Sequence, residues 1–112
     1  MHQTCREPRP VHEYDLFIPL FYNDGRPIEA TKFQALQKRL LEQFGGLTFF
    51  PQPNQGLWKM GAVVYRDEIV IYRVLATRPR IARKFLARLK EDLRKSFRQE
   101  EILIVERTVE TI

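Results

Sequence analysis

GAVVYRDEIVIYRVLAT, residues Gly61 to Thr77, is the most apolar and β-branched run in the chain. Val63, Val64, Ile69, Val70, Ile71, Val74 and Leu75 fall on both parities of a period-two pattern, so a strand here needs cover on both faces. An interior position in a sheet supplies that cover. The only charged patch inside the run is Tyr65-Arg66-Asp67-Glu68. Everything else in the sequence reads as packing around this strand.

Upstream, Val11 to Tyr22 reads as a second interior strand, because both parities turn apolar after Asp15. Pro19 is a contrary signal, since proline cannot donate to a ladder. Asn23-Asp24-Gly25 breaks the pattern with turn residues. A helix is expected from Glu29 to Phe44, where Phe33, Leu36, Leu40, Leu41 and Phe44 recur at helical spacing and Gly45-Gly46 offers a left-handed stop. Leu47 to Lys59 carries Pro51 and Pro53 and suits an edge strand, with Met60-Gly61 as a hairpin tip.

Downstream, Thr77 serves as N-cap and Pro79 lies in the first turn of a second helix running to about Arg98. Ala82, Phe85, Leu86, Leu89, Leu93 and Phe97 form its apolar stripe. Glu101 to Val109 is the last strand and the other edge. The order strand, helix, strand, strand, helix, strand predicts an α+β, ferredoxin-like βαββαβ domain: a four-stranded antiparallel sheet with both helices on one face and the first and third strands central. Residues 1–10 read as a flexible tail and residues 11–112 as a single domain.

Composition narrows the function classes. With 112 residues, 44% hydrophobic and 29% charged, the chain has the size and balance of one folded domain. No window approaches the ~18 apolar residues of a membrane span. The start, MHQTCREPRP, lacks a signal-peptide core, so no membrane partner and a cytoplasmic location are expected. A single cysteine, Cys5, with His2 and His12 makes a poor metal set, and Cys5 reads as an inert tail residue. No phosphate-cradling GxxxxGKS/T or GxGxxG occurs, nor HExxH, GxSxG or CxxC, so no metal or nucleotide cofactor is expected.

Two helices cover one side of a four-stranded sheet, which makes the other side the strongest functional clue. With Tyr14, Leu16, Ile18 and Leu20 under the helices, Phe17 and Phe21 point to the open face. Arg73 is costly under the helices, which turns Ile69, Ile71 and Arg73 outward and Val70, Tyr72 and Val74 inward. Exposed aromatics and isoleucines of this kind predict a homodimer through the open face. Trp58, Tyr65, Asp67, Arg73 and Asp15 form a candidate ligand cleft between sheet and partner, where a carboxylate and a guanidinium beside aromatic walls suit a small polar-headed ligand. The plainer reading, a cross-strand charge network with Trp58 in the core or an interface, is preferred. No catalytic residue can be named, and a cofactor-independent enzyme stands as the alternative to a binding or accessory module.

The second helix is strongly basic. Arg78, Arg80, Arg83, Lys84, Arg88, Lys90, Arg94, Lys95 and Arg98 face only Glu91 and Asp92, giving +7 in a chain of +5. Most of these side chains fall opposite the apolar stripe and form a surface for nucleic acid or an acidic protein, or simply a solvated face. The ribonucleoprotein signature K/R-G-F/Y-G/A-F-V-x-F/Y is absent.

At NDGRP (Asn23 to Pro27), FGGLT (Phe44 to Thr48), GLW (Gly56 to Trp58) and VYRDEIVIYRV (Val64 to Val74), the chain resembles small bacterial ferredoxin-like domains of unknown function. The likeness spans about residues 12–109. It implies a ferredoxin-like α+β unit, transfers no catalytic residues, and does not extend to the arginine-rich helix.

Overall fold

The computed structural model describes residues 9–112. Six elements follow one another: β1 (Arg9–Pro19), α1 (Ala30–Phe44), β2 (Thr48–Met60), β3 (Val63–Ala76), α2 (Pro79–Ser96) and β4 (Leu103–Thr111). The four strands form one antiparallel sheet in the order β2-β3-β1-β4, so β1 and β3 are interior and β2 and β4 are edges.

One parity of the two interior strands builds the core. Tyr14, Leu16 and Ile18 of β1 lie opposite Val74, Tyr72 and Val70 of β3, and all six are buried. Leu36 and Leu40 from α1 and Ala82, Leu86, Leu89, Leu93 and Phe97 from α2 complete the same cluster, so both helices cover one side of the sheet. Phe33 meets Phe97 edge-on at 5.4 Å and Phe44 meets Phe85 at 5.6 Å, locking the two helices together. Leu41, expected in the α1 stripe, is instead 53% exposed, because α2 lies against Leu36 and Leu40 and, among the described residues, none covers the flank beyond.

Several boundaries differ from the sequence reading. Arg9 and Pro10 belong to β1 rather than to a tail, because β4 extends to Thr111 and pairs with them. Proline is tolerated at a strand start. The tail assignment for residues 1–8, with His2 and Cys5, lies outside the described residues. β1 ends at Pro19 rather than Tyr22. Phe21 leaves the sheet for an isolated bridge to Pro27 and so does not join the open face. The N-cap of α2 is Arg78, not Thr77, and it makes no side-chain cap. That helix stops at Ser96 because Arg98 takes a left-handed conformation, φ 53°. By contrast α1 ends at Gly45, φ 77°, whose N–H donates to the Leu41 carbonyl.

The largest correction concerns the run that decided the fold. Only Ile69 to Arg73 of β3 is flanked on both sides: β2 pairs with it no further than Thr48 opposite Arg73, and β1 no further than Pro19 opposite Ile69. Val63 to Asp67 pair with β2 alone and run out of the body as half of a two-stranded arm. The register of β2 shifts between Phe50 and Asn54, which places Pro51 and Pro53 where the ladder is broken. The arm accounts for a long axis of 58 Å against 31 and 26 Å for the others.

Candidate functional site

The sheet face away from the helices is organised in rows set by the strand register. Phe50, Ile71, Phe17 and Leu103 stand opposite one another in turn, one from each of β2, β3, β1 and β4. This apolar row crosses the full width of the sheet. Phe50 is 36% and Leu103 53% exposed, while Phe17 and Ile71 are half-buried by their neighbours.

The next row carries charge. Arg73 sits opposite Asp15, and Asp15 opposite Val105; one step further Glu13 is opposite Arg107. Arg73 Nε and Nη2 donate to the two Asp15 oxygens at 2.8 and 3.0 Å, a bidentate fork. Arg107 Nη2 donates to Asp15 Oδ2 at 2.5 Å and its Nε to Glu13 Oε2 at 3.0 Å. Arg73 Nε also lies 3.4 Å from Glu13 Oε1. Two cations and two anions therefore cancel within one cluster. Hydrogen bonding from Arg73, helped by Arg107, holds the Asp15 carboxyl below its usual range despite a side chain only 5% exposed. Arg73 also stacks 5.0 Å from the Phe50 ring, tying the charged row to the apolar one.

The arm continues the same face. Trp58 and Tyr65 stack with centroids 4.4 Å apart, and Trp58 Nε1 donates to Asp67 at 2.8 Å. Trp58, Met60, Val63 and Tyr65 on this face, and Leu57 and Val64 on the other, are each between 41 and 63% exposed. Six residues of extended chain separate Asp67 from Arg73, about 20 Å at ~3.3 Å per residue. The five residues of the candidate cleft thus divide into Trp58, Tyr65 and Asp67 on the arm and Asp15 and Arg73 on the body. Within one chain the two groups lie apart. Glu13 and Arg107, the other half of the charge cluster, were missed in sequence because only the β1 to β4 register brings residues 94 positions apart into contact.

On the helix side, Glu106 of β4 receives two hydrogen bonds from Arg83 of α2, 2.7 Å from Nε and 2.5 Å from Nη2. These hold the Glu106 carboxyl down at about 2. Burial, with Glu106 beside it, pushes the Tyr14 phenol up to about 12. Of the other basic α2 side chains, Lys90 pairs with Glu101 at 2.9 Å and Arg94 with Glu91 at 3.1 Å. Arg80, Lys84, Arg88 and Lys95, and Arg98 just past the helix end, form no ion pair with another described residue. A cleft of about 390 Å³ lies at the far end of the body between Phe44, Leu75, Arg78 and Ile81, away from both clusters.

Among the described residues no group of three or more His, Cys, Asp or Glu is placed to hold a metal ion, and no helix is long and apolar enough to cross a membrane. No protein-family model matches the chain, and searches of the curated proteins and of the solved structures return no match either. The class established by the fold is an α+β domain with two helices on one side of a four-stranded antiparallel sheet.

Proposed function

We propose that this chain is a small binding or accessory module that works as a homodimer, two copies meeting through their open sheet faces. The fold is read as ferredoxin-like, supported by the βαββαβ order with β1 and β3 between the edge strands β2 and β4. The observation that carries the dimer is the apolar row Phe50, Ile71, Phe17, Leu103, flanked by a charge cluster that neutralises itself. A face meant for water has no need of such a row. A face meant for burial needs its charges paired beforehand, because an unpaired charge taken out of water is costly.

The available area fits a second copy. Four strands at ~4.8 Å spacing and about nine residues of ~3.3 Å give about 570 Å² of body, and the arm adds about 200 Å². The sum is close to the ~800 Å² per partner of a standard interface. The division of the candidate cleft between arm and body favours this reading over a cofactor-independent enzyme. The test is a charge on the row: Phe50→Lys with Leu103→Lys, both at exposed positions. Light scattering after gel filtration is expected to show a dimer for the wild type and a monomer for the variant, with unchanged far-ultraviolet circular dichroism. A wild type that elutes as a monomer at the highest attainable concentration overturns the proposal.

A further inference from the structure

We propose that the outward crest of α2 is a binding site for the phosphate backbone of nucleic acid. This site is on the side of the molecule opposite the sheet face and is independent of dimer formation. At 100° per residue, Arg80, Lys84, Arg88 and Lys95 cluster within about a quarter of the helix circumference, opposite buried Ala82, Leu86, Leu89 and Leu93. All four are exposed. The segregation is sharp. Cations on the flank have acids assigned to them, Arg83 with Glu106, Lys90 with Glu101 and Arg94 with Glu91. The one acid on the crest, Glu91, is the partner of Arg94.

The arrangement works against the helix that bears it. The first turn of α2 has no acidic residue, and Arg80, Arg83 and Lys84 sit at the end where the helix dipole disfavours positive charge. Arg80, Lys84 and Arg88 follow one another at i, i+4 spacing, where like charges repel. A helix face serving only solubility would intersperse the two signs. An anionic ligand relieves both penalties at once.

Three polyanions are available in principle, and the surroundings select one. A membrane-surface helix needs an apolar face to insert, but here that face is spent in the core. A protein partner needs large apolar or aromatic anchors at the centre of the patch. The only large hydrophobic side chain strongly exposed on α2 is Ile81, at the edge of the crest about 20° past Arg88, where it lines the cleft beside Phe44. Phosphate contacts need neither. From Arg80 to Lys95 the crest is about 22 Å long at ~1.5 Å per residue, room for about four phosphate contacts. With no stacking aromatic on the crest, the contact is to the backbone and carries no sequence preference.

The test is fluorescence anisotropy of the full chain with a labelled random-sequence DNA duplex, its RNA counterpart and a single strand, across a salt series. The expected slope of log K against log salt is about −4 on duplex DNA. Lys84→Gln with Arg88→Gln is expected to weaken binding at least tenfold at low salt and to lower the slope by about 2. The same charge change on the arm, Lys59→Gln with Arg66→Gln, leaves both unchanged. Vesicles containing phosphatidylserine and a polyglutamate peptide serve as competing anions. No binding to any nucleic acid at low salt overturns the proposal. So does binding that the arm variant weakens as much as the crest variant, or crest-dependent binding that is tighter to vesicles or polyglutamate than to nucleic acid.

Discussion

Removing the Asp15 side chain tests the charge cluster at the centre of the open face. In Asp15→Ala the guanidinium groups of Arg73 and Arg107 lose their shared acceptor and are left with Glu13 alone. Removing one partner of a fully buried pair costs ~3–5 kcal/mol, most of it the cost of stranding the other charge. Here Asp15 is 5% exposed, but Arg73 and Arg107 are 34 and 44% exposed, so water takes back part of the loss. A cost of about 2 kcal/mol follows, or about 8 °C in Tm for a domain of this size. Urea unfolding reads it directly, at one fixed protein concentration because association contributes to stability by mass action. The pH dependence has a definite sign. The folded pKa of Asp15 lies below its unfolded value, so its contribution is fully present above ~3.9 and is lost as pH falls through the folded value. The gap between wild type and variant is therefore constant through neutral and mildly acidic pH and closes only below about pH 4. A loss under about 0.5 kcal/mol, the size of an ordinary surface substitution, refutes the cluster as a structural unit.

Three smaller perturbations probe other parts of the fold. Gly45→Ala forces a side chain into the left-handed α1 cap and is expected to cost about 1 kcal/mol in urea unfolding. Tyr72→Phe removes the acceptor of the 3.0 Å bond from Gln37 Nε2 while keeping the buried ring, and should cost about 1 kcal/mol by the same measurement. Glu106→Gln abolishes an acid-sensitive contribution: with the folded carboxyl at about 2, wild-type stability from this group is present above ~4.3 and drains as pH falls toward 2, so an acid titration of the variant should be flatter over that range.

Element order and inward parity were legible because they depend on short-range periodicity. Tyr14, Leu16 and Ile18 repeat every second residue, Val70, Tyr72 and Val74 do the same, and all six are buried where that pattern puts them. The cost of burying an unpaired guanidinium puts Arg73 on the outward parity, and it points away from the helices, onto Asp15. The arm was not legible. Val63, Val64 and Tyr65 have the composition of an interior strand, and nothing local in the sequence states that β1 stops at Pro19 and leaves them with one neighbour. The spacing within the candidate cleft was hidden for the same reason, since residues on one parity of a strand share a face without being close along it. Glu13 and Arg107 needed the strand register. The division of α2 cations into paired flank and bare crest needed to know where Glu101 and Glu106 lie against the helix.

The most direct test of the central claim, that a second copy covers the open sheet, is isotope-filtered nuclear Overhauser spectroscopy on a mixture of labelled and unlabelled chains. The account predicts contacts between protomers among the side chains of Phe17, Phe50, Ile71 and Leu103, reaching Trp58 and Tyr65 along the arm. Contacts between protomers confined to the helix side, or none at all, would contradict it.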